Sequence, residues 1–309
     1  MDIVLVVAGL GLLLLGGELL VGGAVGLALR WRVPPMVIGL TLVGFGTSLP
    51  ELLTSVQAAL RGSPGIALGN VVGSNTANIL LIGGLAAAMA AIPVARDGLR
   101  RDGGWMLAAA LAALALVFLP VIGRGAGLAL LAGLAAFLWV SLRGGRAAPP
   151  TEELLETMRP AWSSALRMTL GLGLTVGGAA ALVEGAVALA TQAGLPEAVI
   201  GLTLVAVGTS LPELATSVIA ARRGQPEVAL GNILGSNVFN VLGILGVTAL
   251  IAPLPVDAMI RGFDIWVMLA ATLALLAVAW TGTRISRREG LALLLAYLVY
   301  VGWLARGLF

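Results

Sequence analysis

Apolar residues fill this chain in ten long runs, each parted from the next by a short cluster of arginine, glycine, proline or acid. About 20 apolar residues are enough to cross the hydrocarbon core of a bilayer as a helix. By that measure the runs fall at 3–27, 36–60, 66–92, 104–122, 125–142, 164–190, 198–221, 228–252, 263–281 and 290–308. Runs four and five are joined by a very short turn around Gly123-Arg124-Gly125. The longest polar stretch extends from Arg143 to Trp162 and carries Gly144-Gly145, Pro149-Pro150 and three glutamates. It reads as a linker, with a short amphipathic helix over 151–158 capped by Thr151. The pattern predicts an all-α polytopic membrane protein with a first five-helix unit at 1–142, a linker at 143–162 and a second unit at 163–309.

The two units repeat each other. Sliding the chain by 162 positions lays residues 38–84 on 200–246 without a gap, and 32 of those 47 positions are identical. The matches include Thr, Ser, Asn, Pro and Glu, which chance alignment of apolar helices does not produce. Five spans per half is an odd number, so the second half enters from the opposite face. That predicts ten transmembrane helices in two inverted repeats, a plan typical of secondary transporters. If the spans alternate, fourteen arginines collect on the face of the linker and four (Arg61, Arg124, Arg261 and Arg306) on the other. Cytoplasmic loops carry the excess of positive charge. The expectation is a cell-membrane protein with a cytoplasmic linker and both termini extracytoplasmic. Met1-Asp2 runs straight into apolar residues, so no cleaved leader is expected.

The polar positions inside the runs carry the chemistry. Gly46-Thr47-Ser48-Leu49-Pro50-Glu51 recurs unchanged as Gly208-Thr209-Ser210-Leu211-Pro212-Glu213. A carboxylate at such a depth costs about 2.5–3.5 kcal/mol on insertion scales and marks a functional site by default. Pro50 lacks an N–H and crowds the preceding turn, and Leu49 is pushed away from helical geometry. Both copies should therefore break their helices at the midplane and free backbone oxygens, which a bilayer tolerates only in a cavity or within protein. Thr47, Ser48 and Glu51 can share one helix face, as can Thr209, Ser210 and Glu213. The following spans add Asn70, Ser74 and Asn78, and Asn232, Ser236 and Asn240, each set spaced by four.

Composition narrows the chemistry. The chain is 59% hydrophobic and 11% charged, and it has no cysteine and no histidine. That excludes disulfides, thiolate and imidazole metal sites, and Cys or His catalysis. Oxygen remains for ligation, which suits hard cations. Every basic residue is arginine, scattered over separate loops, so no nucleic-acid surface is expected. Ca²⁺ takes six to eight oxygens. Two bidentate carboxylates supply four, one freed carbonyl from each broken helix makes six, and Asn, Ser or water complete the shell. Two negative charges balance one Ca²⁺ or two Na⁺, and a site that holds either ion but not both is the requirement for exchange.

The paired Gly-Thr-Ser-Leu-Pro-Glu segments, each followed by Gly-Asn-x-x-Gly-Ser-Asn-x-x-Asn, resemble the two α-repeats of the sodium/calcium exchanger family, prokaryotic type, within the cation/calcium antiporters. The resemblance implies an antiporter that exchanges Na⁺ for Ca²⁺ by alternating access; a monomer in the lipid bilayer with no cofactor beyond the transported ions is expected. It implies Glu51 and Glu213 as central ligands, Thr47 and Thr209 ligating through their carbonyls, and Asn78 and Asn240 completing the centre. It assigns Ser48, Ser210, Ser74 and Ser236 to flanking sodium sites, with the carbonyls of Gly44 and Ala206. It also implies that spans one and six slide against the other eight. Some family members carry Asp where this chain has Asn240; Asn at both Asn78 and Asn240 resembles the potassium-independent members.

Other readings stand beside these. A Ca²⁺/H⁺ antiporter could use the same scaffold, with protons on Glu51 and Glu213. An intramembrane enzyme would need a zinc or serine motif that the chain lacks. A cation channel fits the repeats less well than alternating access does. Asn70, Asn232, Asn75 and Asn237 read as interhelical hydrogen-bonders or caps, and Gly69/Gly73 and Gly231/Gly235 as close-packing sites that bring spans two and three together. Glu18 and Glu184 do not align under the shift and read as acids near an interface or crevice. Thr54, Ser55, Thr216 and Ser217 extend the polar face towards one surface, either for packing or for ion access.

Overall fold

The computed structural model describes residues 2–31, 33–143, 160–192, 206–256 and 260–306. The helix expected over 151–158, and the span expected at 198–221 as far as residue 205, lie outside the described residues. The described chain is helical nearly throughout. α1 is Asp2–Trp31. α2 (Pro35–Thr47) and α3 (Leu49–Leu60) form one bent pair, and α4 is Pro64–Met89. A wide turn at Leu99–Gly103 leads into α5, Gly104–Leu116. α6 is Arg124–Arg143 and α7 is Ala161–Gln192. α8 (Ala206–Thr209) and α9 (Leu211–Arg222) follow. α10 is Pro226–Ile251, α11 Ile260–Gly282 and α12 Arg287–Arg306. Six of these helices are long and apolar enough to cross a membrane unaided, and the bent α2–α3 pair adds a seventh.

Burial sorts the helices. From Val228 to Val238 every residue of α10 is buried, and most of α4 is too. The buried positions include Ser74, Asn75 and Asn78 on α4 and Asn232, Ser236 and Asn240 on α10, so these two helices carry polar side chains into the interior. The others keep one face outward: Leu10, Leu14, Leu128, Leu142, Leu273 and Leu295 are exposed on α1, α6, α11 and α12. α10 packs on α2, α9 and α6, while α12 packs on the second half of α4.

The expected helix at 104–122 stops short. α5 ends at Leu116, and Val121–Ile122 form a strand, β2. Pro120, which cannot continue the hydrogen-bond ladder, instead accepts at its carbonyl from Val256 N (3.2 Å). The short turn expected at Gly123-Arg124-Gly125 is thus a longer connection. Three more short strands appear: β1 (Ile92–Pro93), β3 (Leu254–Pro255) and β4 (Arg284–Ile285). β1 pairs antiparallel with β4, and β2 with β3. Each ribbon joins the first half of the chain to the second, and its apolar residues Ile92, Ile285, Ile122 and Leu254 are fully buried.

α1 and α7 form a separate antiparallel pair. Glycines sit every seven residues on both, at Gly9, Gly16 and Gly23 and at Gly171, Gly178 and Gly185. A Cβ on Gly16 would lie 2.5 Å from Thr175 N, and one on Gly171 would lie 2.3 Å from Leu20 N. The backbones therefore touch along the seam, the mode by which small residues drive helix association in lipid.

Candidate ion-binding site

Both signature helices break just ahead of Pro50 and Pro212, but the distorted residue is Ser48 or Ser210, whereas Leu49 and Leu211, expected to leave helical geometry, begin the next helices. Ser48 (φ −84°, ψ 9°) and Ser210 (φ −89°, ψ 7°) leave the helical region, and each proline then sits in the first turn of the next helix. Proline is tolerated there because that turn's N–H groups have no partner within the helix. The bend between α2 and α3 is 42°. Glu51 and Glu213 follow immediately, in the first turns of α3 and α9.

The two acids meet in the interior, each only 1% exposed. The serine of each half serves the acid of the other. Ser48 Oγ donates to Glu213 Oε1 (2.7 Å), and Ser210 Oγ donates to Glu51 Oε1 (3.0 Å). Ser74 lies 3.5 Å from Ser210, oxygen to oxygen. Ser236 Oγ donates to the carbonyl of Gly44 (3.3 Å). The Thr47 hydroxyl turns to the carbonyls of Val43 and Gly44 and to Asn232 Oδ1. Thr209 is half-buried and ends α8, and Ala206 begins it.

Several buried polar atoms of the candidate residues lack a protein partner. Among the described residues, Glu51 Oε2, Glu213 Oε2, Asn240 Oδ1 and both amide atoms of Asn78 are buried without a hydrogen bond. An unsatisfied buried polar group costs about 1–3 kcal/mol. Neither acid has an ion-pair partner; among the described residues the ion pairs are Arg101–Asp102 and Arg223–Glu18. Two carboxylates out of water without a countercharge are strongly unfavourable. A cation held between them answers the orphan oxygens and the charge together, and the donor set is entirely oxygen.

The structure also distinguishes ligand candidates from supports. Asn70 Nδ2 donates to the Glu51 carbonyl (3.0 Å) and to Ser55 Oγ (2.9 Å). Asn232 repeats this with the Glu213 carbonyl (3.4 Å) and Ser217 Oγ (3.0 Å). These are the interhelical bonds expected of the two asparagines, and they assign Ser55 and Ser217 to packing. Asn240 Nδ2 donates to Asn75 Oδ1 (3.1 Å), while Asn237 bonds its own helix at Ile233. Close packing at Gly231 and Gly235 is present, but with a different partner: a Cβ there would lie 2.3 Å from the Met36 carbonyl and 2.0 Å from that of Leu40. The approach is thus between halves, α10 on α2. At Gly69 and Gly73 no described atom lies within 4 Å of such a Cβ. Glu184 is exposed, and Glu18 pairs with Arg223 at 2.6 Å. The cross-half serine bonds had no signal in the sequence beyond the repeat itself.

A family profile described as "Sodium/calcium exchanger protein" matches residues 1–143 and 163–306. The chain is 39% identical over 307 residues to the putative antiporter CaxA of Alkalimonas amylolytica, covering 96% of each. It is 34% identical to the sodium/calcium exchanger MaX1 of Methanosarcina acetivorans over 97% of each chain. Its fold is similar to that of the sodium-calcium exchanger NCX_Mj soaked with Na⁺ and Sr²⁺, with a TM-score of 0.87 and 32% identity, covering 97% of this chain and 98% of that one.

Proposed function

The chain belongs to the sodium/calcium exchanger family of membrane antiporters, and on that premise we propose that it exchanges Na⁺ for Ca²⁺ at a site between Glu51 and Glu213. The carrying observation is that two buried acids, one from each half, have no ion-pair partner among the described residues and each keep one oxygen without a hydrogen bond. Glu51, Glu213, Asn78 and Asn240 are the central ligands, joined by the carbonyls of Thr47 and Thr209. Ser48, Ser74, Ser210 and Ser236, with the carbonyls of Gly44 and Ala206, hold the flanking ions. Ca²⁺ and Na⁺ are substrates, and the protein's part is to bind, neutralise and release them.

The plan is ten helices in two inverted five-helix repeats, 1–142 and 163–309, around a cytoplasmic linker, with both termini extracytoplasmic. What supports it is the 162-residue repeat, the arginine bias and the reciprocal serine–acid bonds. The helices other than α1 and α7 act as a fixed frame, and the α1–α7 pair slides across it. An empty site carries two buried charges that resist passing a closed, low-dielectric interior. One Ca²⁺ or a pair of Na⁺ removes that penalty, so sliding is coupled to occupancy and the ions must alternate. Few formal charges also let the ion leave.

Proteoliposomes preloaded with ⁴⁵Ca²⁺ test this reading. External Na⁺ should release the label, and choline should not. Release that follows an imposed proton gradient and ignores Na⁺ would replace this reading with Ca²⁺/H⁺ exchange.

A further inference from the structure

We propose that Glu18, Arg223 and Arg167 form a one-sided latch that holds the α1–α7 pair against α9 and favours the conformation seen here; it rests on the sliding reading above. Arg223 caps the C-terminus of α9, and its Nη2 lies 2.6 Å from Glu18 Oε2 on α1. Gly22 lies one turn further along α1. A Cβ there would be 3.0 Å from Arg223 Nη1 and 3.3 Å from Arg167 Nη2, so the absence of a side chain seats both guanidinium groups against α1. Arg167 belongs to α7, and its Nε is buried without a partner among the described residues. Three helices thus meet at two cations and one carboxylate.

The repeat makes the latch one-sided. Arg223 falls on Arg61 under the shift of 162, and both cap their helices alike (φ −84°, ψ 5° at Arg61; φ −80°, ψ 3° at Arg223). Glu18, however, falls on Ala180; the acid of α7, Glu184, falls instead on Gly22 and is exposed, and no ion pair joins it to Arg61 among the described residues. Among the described residues Arg61 makes no ion pair. The surroundings differ in the same sense. On α9, Ile219 is 3% exposed and would touch a Cβ on Gly17 of α1. On α3 the equivalent Gln57 is exposed, and Leu53, the equivalent of Ala215, is 61% exposed. α1 therefore covers α9, whereas α7 does not cover α3. In an inverted-repeat antiporter the two access states exchange the roles of the halves, so an ion pair in one half alone biases their ratio. The Glu18 and Arg223 side chains are 47% and 39% exposed. A pair that open to solvent shifts an equilibrium by about two- to fivefold and is screened by salt.

The absence of native cysteine makes the test direct. Ala215→Cys places one thiol under α1, since the Ala215 carbonyl lies 3.6 Å from a Cβ on Gly17. Its labelling rate with a hydrophilic maleimide, in protein open to both faces, reports how often α1 leaves α9. Glu18→Gln and Arg223→Gln should each raise that rate about two- to fivefold. The double variant should exceed neither single by more than experimental error, the mark of one shared interaction. Added choline chloride should raise the rate in the parent and not in Glu18→Gln. Parent-like labelling in both single variants, or independent additive effects, overturns the latch. If Na⁺ and Ca²⁺ change the labelling but Glu18 and Arg223 do not, the latch alone fails. If no ion changes it in any variant, the sliding reading fails and takes the latch with it.

Discussion

Glu51 and Glu213 are each anchored at one oxygen by the serine of the opposite half and left bare at the other. That division of labour holds each carboxylate at one oxygen and leaves a buried acceptor at the other. Replacing either acid by alanine should abolish Na⁺-driven ⁴⁵Ca²⁺ release while the protein still inserts at parental levels. Retained exchange in either variant would remove these acids from the mechanism. Asn240 presents a buried, unpartnered Oδ1 while its amide nitrogen is held by Asn75. Asn240→Asp adds a third charge at this point, so it should tighten divalent binding or introduce pH dependence. An unchanged affinity and pH profile would count against Asn240 at the centre.

At the scale of elements, the broken helices and the close helix approaches set the geometry. Pro50 and Pro212 make the break, and Asn70 and Asn232 clamp the far side of it by bonding the carbonyl of the acid itself. Gly235 lets α10 reach α2, which brings Ser236 within 3.3 Å of the Gly44 carbonyl. A Cβ at Gly235 would stand 2.0 Å from the Leu40 carbonyl. Gly235→Ala should therefore cost about 1–3 kcal/mol through overpacking and lower Tm by several degrees. Gly177→Ala, where nothing lies within 4 Å, should leave Tm unchanged or raised, because alanine favours the helix. Equal shifts in the two variants would contradict the close approach of α10 to α2.

For the whole molecule, two ribbons tie the halves of the chain together, and a glycine seam joins α1 to α7. β1–β4 and β2–β3 tie the halves together, whereas α1 and α7 bind chiefly each other. A disulfide between Ile92→Cys and Ile285→Cys, opposite neighbours in a ribbon, should leave exchange intact. One between Gly17→Cys and Ala215→Cys should block it until reduced. Flux assays with and without oxidant check both, and block by the ribbon cross-link alone would reverse the assignment of fixed and moving parts.

Much of this was legible in the amino-acid order. Helix extents followed from runs of apolar residues because a bilayer demands a fixed length. The site's acids, the proline breaks and the asparagine clamps followed from polar residues at positions where burial is costly. The seven-residue glycine spacing on α1 and α7 was also there to be read, as a packing face. The run at 104–122 misled because hydropathy does not tell a buried strand from the end of a helix, and Ile122 is fully buried in both senses. Sequence by itself determined the membrane class, the repeat and the polar residue types at the broken helices, since these depend on residue type and local spacing. Only the tertiary structure decided that Ser48 serves Glu213, that Gly235 receives Leu40, and that Glu18 reaches Arg223. Those contacts join residues more than 150 positions apart, and no local periodicity encodes which distant helix face will meet which.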